Sequence, residues 1–201
     1  HMRTIKKVAS HIFIDGFGGM TQGLFATLII GTMIQQIGLL IGGSTGNVIY
    51  LLGKAAAALT SAGIGVGVAV KYGESPLVTV SAAVAAMVGG YAGKITGGTF
   101  FVDGNAVLAG PGEPLGAFIA AFAGITCGHL VSGKTKVDII VTPVITIGAG
   151  SVVGLLVGPP ISHMMTGLGS IINWATEQRP FIMGIVVSVV MGMVLTLDRK
   201  S

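Results

Sequence analysis

Charged side chains are scarce in this sequence. Asp, Glu, Lys and Arg together make up 9% of the residues, and none occurs between Phe17 and Gly53. An ordinary soluble domain contains about 25% charged residues. The uncharged stretch is long enough to cross a bilayer core of about 30 Å, which needs roughly 20 residues of helix. The scarcity of charge therefore excludes an ordinary soluble domain and predicts an integral membrane protein.

Cysteine is nearly absent as well. Cys127 is the single one, so the chain has no internal disulfide and no metal-ligand cluster of cysteines. No segment alternates with a period of two residues, which excludes the strands of a membrane barrel. We predict an all-α integral membrane protein with no metal site, no cofactor, no catalytic residue and no nucleic-acid partner.

Glycine, by contrast, is abundant, with 34 residues. Gly150, Gly154 and Gly158 stand four apart in one apolar segment. The same spacing recurs at Gly63 and Gly67, at Gly89 and Gly93, and at Gly124 and Gly128. Small residues at this interval let two helix backbones approach closely. The spacing predicts tight packing between helices, with a sliding surface as the alternative.

Charged and turn-forming residues divide the sequence into about six apolar segments. We predict transmembrane helices at residues 18–41, 47–70, 75–93, 114–133, 138–158 and 180–197. Helices are required because lipid offers no hydrogen-bond partner to an exposed backbone. The fold class predicted is therefore a helical bundle of about six spans.

The positive charges indicate the orientation of these spans. With the N-terminus inside, the loops on the inner side carry Arg3, Lys6, Lys7, Lys71, Lys134, Lys136, Arg199 and Lys200. The outer loops carry Lys94 and Arg179. Because Lys and Arg are concentrated in cytoplasmic loops, both termini are predicted to be cytoplasmic.

Residues 3–14 have one apolar helical face. Ile5, Val8 and Ile12 share that face, while two lysines lie elsewhere. The pattern is typical of an amphipathic helix that lies in the membrane interface and is attracted to anionic headgroups. A solvated basic tail that only sets the topology is the alternative.

A second amphipathic helix is predicted after Pro159 and Pro160, where the two prolines are expected to break the helix. Met164 and Leu168 recur at helical spacing, and Trp174 has a residue type that prefers the interface. The segment is too short to span a bilayer. We therefore predict an amphipathic connector before the last transmembrane helix.

Polar side chains at membrane depth point to function, because burying them is costly. The segment from Gly158 to Phe181 combines the proline pair with His163, Asn173 and Glu177. An imidazole and a carboxylate beside a helix break could hydrogen-bond the hydroxyl groups of a polar solute. The alternative is a plain outer loop in which Glu177 faces water.

Several of these segments occur together in a known family. The run from Lys134 to Asp138, followed by IIVTPVITIGAGSVVGLLVGPPI and MMTGLGSIINW, resembles the membrane subunit of the bacterial sugar phosphotransferase system. It is most similar to fructose-type IIC proteins, and SPLVTVSAAVAAMVGGYAG and PGEPLGAFIAAFAG are similar to their third and fourth spans. The ending ATEQRPFIMGIVVSVVMGMVLT resembles a branch described as toxin regulators of the perfringolysin-regulator type. The resemblance extends from Ile12 to Leu197.

The resemblance implies a homodimeric, multi-pass permease of the bacterial inner membrane. A protein of this kind binds a sugar, here of the hexose or hexitol class, while a cytoplasmic IIB-type partner phosphorylates it. In the wider superfamily a His and a Glu contact the sugar hydroxyls. By position, His163 and Glu177 are the matching candidates, with Asn173 and Thr176 nearby. The resemblance thus implies these four residues as the substrate-binding set.

Family members usually continue for several further spans, which implies that this chain is an N-terminal portion or a shortened natural member. We expect three parts: residues 1–16, an N-terminal cytoplasmic or interfacial segment; residues 17–158, a five-span packing and dimer-interface region; and residues 159–201, the connector and sixth span that begin a substrate domain. The chain has no IIB-like domain with a phosphorylatable Cys or His. We therefore expect no phosphoryl transfer by this chain alone.

Two functions follow from these features. The first is a membrane-embedded sugar permease subunit that takes part in sugar binding and translocation. The second is a membrane regulator or scaffold that has a IIC-like fold and no transport activity. A passive channel for small solutes is a third, and only the abundant glycine suggests it.

Overall fold

The structure is a computed structural model that describes the backbone of residues 2–178 and 180–200, and their side chains except those of 11, 172, 175–183, 186 and 197–200. About 84% of the chain is helical, as the predicted all-α class requires. The helices are α1 (Met2–Leu24), α2 (Ile30–Ile41), α3 (Gly43–Ala58), α4 (Thr60–Lys71), α5 (Pro76–Gly90), α6 (Ala92–Thr96), α7 (Pro114–Val131), α8 (Asp138–Gln178) and α9 (Pro180–Lys200). A π-helical turn, Phe25–Ile29, joins α1 to α2 without a break.

The N-terminal segment is helical and continuous with the rest of α1, without a break between residues 3–14 and the apolar residues that follow. Its placement in the membrane interface, or as a solvated tail, stays a prediction. No proline precedes Pro76, and Gly42 is the first described residue with a positive φ, at +68°. No such break occurs among the described residues before Gly42, where dihedral angles of φ +68° and ψ 179°, which glycine adopts readily, end the helix.

A helical hairpin follows this break, with α3 returning along α2. The two backbones approach closely at Gly38, where an added Cβ would lie 2.6 Å from the carbonyl oxygen of Gly46. At Leu59 the chain bends by 53° into α4. The bend directs α4 back along α1 and into the centre of the bundle.

The centre of the molecule lies between α4, α5 and α7, where Ile64, Val68, Val78 and Phe118 are buried. Glycines bring these helices and α8 into backbone contact. A Cβ added at Gly89 would lie 2.4 Å from the carbonyl oxygen of Gly116. The tight helix packing predicted from the glycine spacing is therefore confirmed at this position.

The helix α8 continues through Pro143, Pro159 and Pro160. The predicted helix break after Pro159 and Pro160 is therefore wrong, and the connector is the second half of one helix. Each proline removes one backbone donor, a loss that packing against neighbouring helices can offset. That packing is tight here, because a Cβ added at Gly158 would lie 2.4 Å from the Cβ of Ala92 on α6.

The polar stretch 94–113 folds over one end of the bundle. It contains a hairpin of two short strands, β1 (Phe101–Val102) and β2 (Asn105–Ala106), paired antiparallel. The turn residues Asp103 and Gly104 have φ values of +53° and +79°. Positive φ at both central residues is typical of a two-residue hairpin turn, and Asp-Gly is a preferred sequence for it.

In the described residues, three helices are long and apolar enough to cross a membrane. They are Met2–Ile41, Pro114–Val131 and Asp138–Ile171. The bent pair α3–α4 makes a fourth if it counts as one span. The other predicted spans correspond to apolar helices of 10–17 residues, Pro76–Gly90 and Val187–Thr196. The count of six spans therefore stays a prediction.

Candidate functional site

A cavity of about 610 Å³ opens where α5 and α6 meet α8 and the segment that precedes α7. Its charged and polar side chains are Lys94, Thr96, Glu113, Ser162 and His163. Backbone of the glycine-rich turns supplies much of the remaining wall. We call this part of the molecule the cavity end. The volume falls within the range of sites that bind small molecules, about 300–1,000 Å³.

Glu113 is held in place by its role as the N-cap of α7. Its carboxylate oxygen Oε1 accepts a hydrogen bond of 3.2 Å from the backbone N–H of Leu115. Its own N–H donates to the carbonyl oxygen of Gly90 at 2.8 Å. Pro114 follows at the first helical position, where its missing N–H has no helical partner to lose. The acid is thus fixed at the helix start, beside the cavity.

The segment before Glu113 is tied to the core by two buried side chains. Ser61 Oγ donates to the carbonyl oxygen of Pro111 at 2.9 Å. The Tyr91 hydroxyl lies against the carbonyl oxygens of Gly110 and Ala58, and with one proton it donates to one of them at a time. These contacts fix the loop that forms one wall of the cavity.

Lys94 lies on α6 and is half-buried. Its Nζ donates to the carbonyl oxygen of Ala109 at 2.5 Å and lies 5.6 Å from the centre of the Tyr91 ring. The ring face favours a cation at this distance. Since an ammonium carries three donors, the contact with Ala109 leaves others for a ligand.

The wall opposite is the part of α8 that follows the proline pair. Ser162 is half-buried and packs near Gly93, where an added Cβ would lie 3.7 Å from Ser162 Oγ. His163 lines the cavity with a more exposed side chain. The continuous helix therefore presents a hydroxyl and an imidazole toward the acid and the ammonium of the other elements.

Of the predicted substrate-binding residues, the structure places His163 in the cavity wall. Asn173 is exposed and lies ten residues further along α8, which corresponds to about 15 Å of helix. The side chains of Thr176 and Glu177 lie outside the described residues. The roles of all four in binding stay predictions.

Lys94 and Glu113 were not among the predicted site residues. In the sequence Lys94 is a charge in a predicted outer loop, and Glu113 belongs to a segment similar to a family span. One signal was available for Glu113. An acid between glycine and proline at the start of an apolar run is typical of a helix N-terminus. Nothing local indicated that this N-terminus would face α6 and α8.

At the opposite end of the bundle, polar side chains pair with one another. His129 Nδ1 lies 3.0 Å from Glu74 Oε1 and 3.1 Å from Oε2. The Ser75 and Ser132 hydroxyls are 3.4 Å apart. We call this region, residues 72–75 and 129–138, the paired end.

Tyr72 connects the paired end to α1. Its hydroxyl donates to the carbonyl oxygen of Ile12 at 2.8 Å. Burial, and then the negative charge of Asp15, raise the pKa of Tyr72 to about 12. The phenol therefore keeps its proton, and its ability to donate, throughout the physiological pH range.

The cavity offers hydrogen-bonding groups of both kinds. It combines donors on Lys94 with an acceptor on Glu113, and Ser162 can act as either. The described residues hold no group of three or more His, Cys, Asp or Glu that could ligate a metal ion. A solute with several hydroxyl groups would find partners for both its donors and its acceptors.

Comparison with known proteins gives one family. The family described as "Phosphotransferase system, EIIC" matches residues 14–197. No curated protein and no solved structure matches the chain. The matched residues cover most of the chain, including every described residue of the cavity wall.

Proposed function

The chain belongs to the phosphotransferase system EIIC family, and we propose that its cavity end binds a neutral hexose or hexitol. Members of this family are membrane-embedded sugar permease subunits that act on a sugar together with a cytoplasmic IIB-type partner. The fructose-type group, and within it the toxin-regulator branch, is the proposed place of the chain in the family. The identity of the sugar class is likewise part of the proposal.

The cavity of about 610 Å³ is the observation that carries this proposal. A neutral sugar presents only hydroxyl groups and ring or carbonyl oxygens, so its site must supply both donors and acceptors. Lys94, Glu113, Ser162 and His163 supply both kinds around one space. The position of His163 supports its proposed contact with a sugar hydroxyl.

The remaining predicted residues belong to the same proposal. Asn173, Thr176 and Glu177 follow His163 on α8, and we propose that they contact the sugar when it moves along this helix. The exposed side chain of Asn173 is accessible to such a contact.

The cavity end is proposed to face the outside of the bacterial inner membrane, with both termini cytoplasmic. The arrangement of the lysines supports this orientation. Lys71 precedes the paired Tyr72–Ser75 segment, and Lys134 and Lys136 lie within the other half of the paired end. Since positive charge is concentrated on the cytoplasmic side, the paired end is the inner one and the cavity opens outward.

We also propose a homodimer formed through residues 17–158, with residues 159–201 beginning the substrate domain. The α2–α3 hairpin is available for this contact, because its apolar side chains Ile37, Leu40 and Leu52 are 49%, 87% and 62% exposed. Native mass spectrometry of the full chain from detergent is expected to give the mass of two chains. A monomer at every detergent and protein concentration would contradict the dimer.

Sugar binding is tested on the purified full chain in lipid nanodiscs with radiolabelled D-glucose, D-fructose and D-mannitol. We expect one of them to bind the wild type and to bind His163→Gln roughly tenfold more weakly, because the glutamine amide does not place a donor or acceptor where the imidazole nitrogen contacts the sugar. His129→Gln, the same change at the paired end, is expected to bind as the wild type does. A wild type that binds no hexose or hexitol, alone or with its IIB-type partner, would overturn the proposal.

The other predicted function is a membrane regulator or scaffold without transport, and two experimental results would distinguish it from a permease subunit. Such a protein binds a cytoplasmic partner through the basic N-terminus or the loop Lys134–Asp138, and its stability does not respond to sugars. Flux of the labelled sugar into proteoliposomes separates the two functions directly. Absence of flux together with capture of a specific cytoplasmic partner would favour the regulator.

A further inference from the structure

The carboxylate of Glu113 has spare capacity as an acceptor. Oε1 accepts the capping hydrogen bond from Leu115, whereas Oε2 has no hydrogen-bond partner among the described residues. The backbone on both sides is fixed, because the N–H of Glu113 donates to Gly90 and its carbonyl oxygen accepts from Ala117 at 3.0 Å. The free oxygen therefore belongs to a side chain that is already positioned before a ligand arrives.

Lys94 has the complementary property. One donor of its ammonium group points to the carbonyl oxygen of Ala109, and the Tyr91 ring supports the positive charge from one side. The other donors have no protein partner among the described residues. Lys94 and Glu113 line the same cavity and come from different elements, α6 and the start of α7.

A hydroxyl group can donate to a carboxylate and accept from an ammonium, so a solute with several hydroxyl groups can use both residues. Hydrogen bonds to charged groups are roughly twice as strong as those between neutral groups. Lys94 and Glu113 carry opposite charges, so an anionic solute attracted by Lys94 is repelled by Glu113 in the same cavity. A neutral polyhydroxy solute can use both residues without such repulsion.

We infer that Lys94 and Glu113 are the specificity-determining residues of this cavity: together they bind hydroxyl groups of a neutral sugar and select it over an anionic one. The inference rests on the proposed function, since it assigns a recognition role within the same site. It adds residues that precede α8, whereas the predicted set consists of residues on α8.

Glu113→Gln is the first test, because glutamine keeps the size of the side chain and an oxygen that can cap α7. The probe is whichever of D-glucose, D-fructose and D-mannitol binds the wild type. We expect Glu113→Gln to bind it roughly ten- to hundredfold more weakly, since a hydrogen bond to a charged group is lost. Asp103→Asn is the matched control, because Asp103 is an exposed acid in the hairpin of the same end. It is expected to bind as the wild type does.

Competition between D-gluconate and the bound sugar tests whether Glu113 and Lys94 recognise the ligand or only support the structure. The measured quantity is the ratio of the inhibition constants of gluconate and of the unlabelled neutral sugar. Glu113→Gln leaves the Lys94 charge uncompensated, so the preference is expected to shift toward gluconate by tenfold or more. Lys94→Gln is expected to shift the ratio in the opposite direction, whereas Lys71→Gln, at the paired end, leaves it unchanged.

These results have distinct meanings. If the wild type binds a neutral sugar and neither variant changes affinity or ratio by more than twofold, the inference is overturned while the proposed function stands. If the wild type binds no sugar, both are overturned. If Glu113→Gln is too unstable for measurement, the inference is tested by the ratio of inhibition constants for Lys94→Gln. An unchanged ratio in that variant overturns the inference.

Discussion

The two ends of the helical bundle use their polar residues in opposite ways. At the paired end, Glu74 and His129 lie within 3.0 Å of each other, and the acid is almost fully covered, with 8% of its side chain exposed. At the cavity end, Lys94 and Glu113 each make one side-chain hydrogen bond to a backbone group. Their remaining donors and acceptors face a cavity of about 610 Å³.

The charges at one end of this chain pair with each other, whereas those at the other end keep unused hydrogen-bonding capacity. Side chains that satisfy one another hold elements together and have little capacity left for a ligand. Side chains that are anchored by backbone groups stay available for a solute while keeping their positions. The anchoring contacts, rather than the number of charges, distinguish the two ends.

The largest expected effect comes from filling the helix contact beneath the cavity end. A Cβ in Gly89→Ala would lie 2.4 Å from both the Gly116 carbonyl oxygen and the Ala120 Cβ. We expect the free energy of unfolding to fall by about 1–3 kcal/mol, because overpacked helices must move apart. Thermal unfolding followed by circular dichroism measures the change.

Gly148→Ala is the control for this substitution, since an added Cβ there meets nothing within 4 Å. It is expected to leave stability unchanged or to raise it by up to about 1 kcal/mol, as alanine favours helix. Equal effects of the two substitutions would contradict the role given to close packing at Gly89.

An intermediate effect is expected at the paired end, from a double-mutant cycle of Glu74→Gln and His129→Gln. The coupling free energy between the two residues is expected to be about 0.5–1 kcal/mol. It is limited because the His129 side chain is 70% exposed and water screens the pair. Sugar affinity is expected to stay unchanged in all three variants, which separates this end from the cavity end. A coupling energy of zero would show that the pair does not hold the paired end together.

The smallest expected effect concerns Tyr72, and it appears only at high pH. Because the folded-state pKa is raised from 10.0 to about 12, the protonated phenol stabilises the folded state below pH 10. That contribution is lost as the pH rises from 10 to 12. Tyr72→Phe removes the titrating group, so the decline in melting temperature over this range is expected to be shallower than in the wild type. Parallel declines in the two proteins would contradict the assignment.

Local patterns were sufficient to predict much of the fold. The scarcity of charge predicts membrane helices, and the glycine spacing predicts backbone contacts such as that of Gly89 with Gly116. These features can be predicted from the sequence because the first depends on the composition of a single segment. The second depends on a residue type, glycine, whose regular spacing is typical of closely packed helices.

The helix through Pro159 and Pro160 was not predictable from the same rules. Proline disfavours a helix locally, but packing against other elements, such as that of Gly158 against Ala92 on α6, can offset the loss and is not visible in the local sequence. The cavity wall also depends on contacts between residues that are distant in the sequence. The hydrogen bond between Ser61 and Pro111 joins positions fifty residues apart, so no local pattern shows that Glu113 and His163 share a space.

The proline pair in α8 also has a mechanical consequence. Because Pro159 and Pro160 carry no N–H, the carbonyl oxygens of Leu155 and Leu156 lack their helical donors. A helix that lacks two consecutive hydrogen bonds resists bending less at that point than in the turns on either side. Ser162 and His163 lie just beyond it. A bend of α8 at the proline pair would therefore move Ser162 and His163 relative to Lys94 and Glu113 on the other side of the cavity.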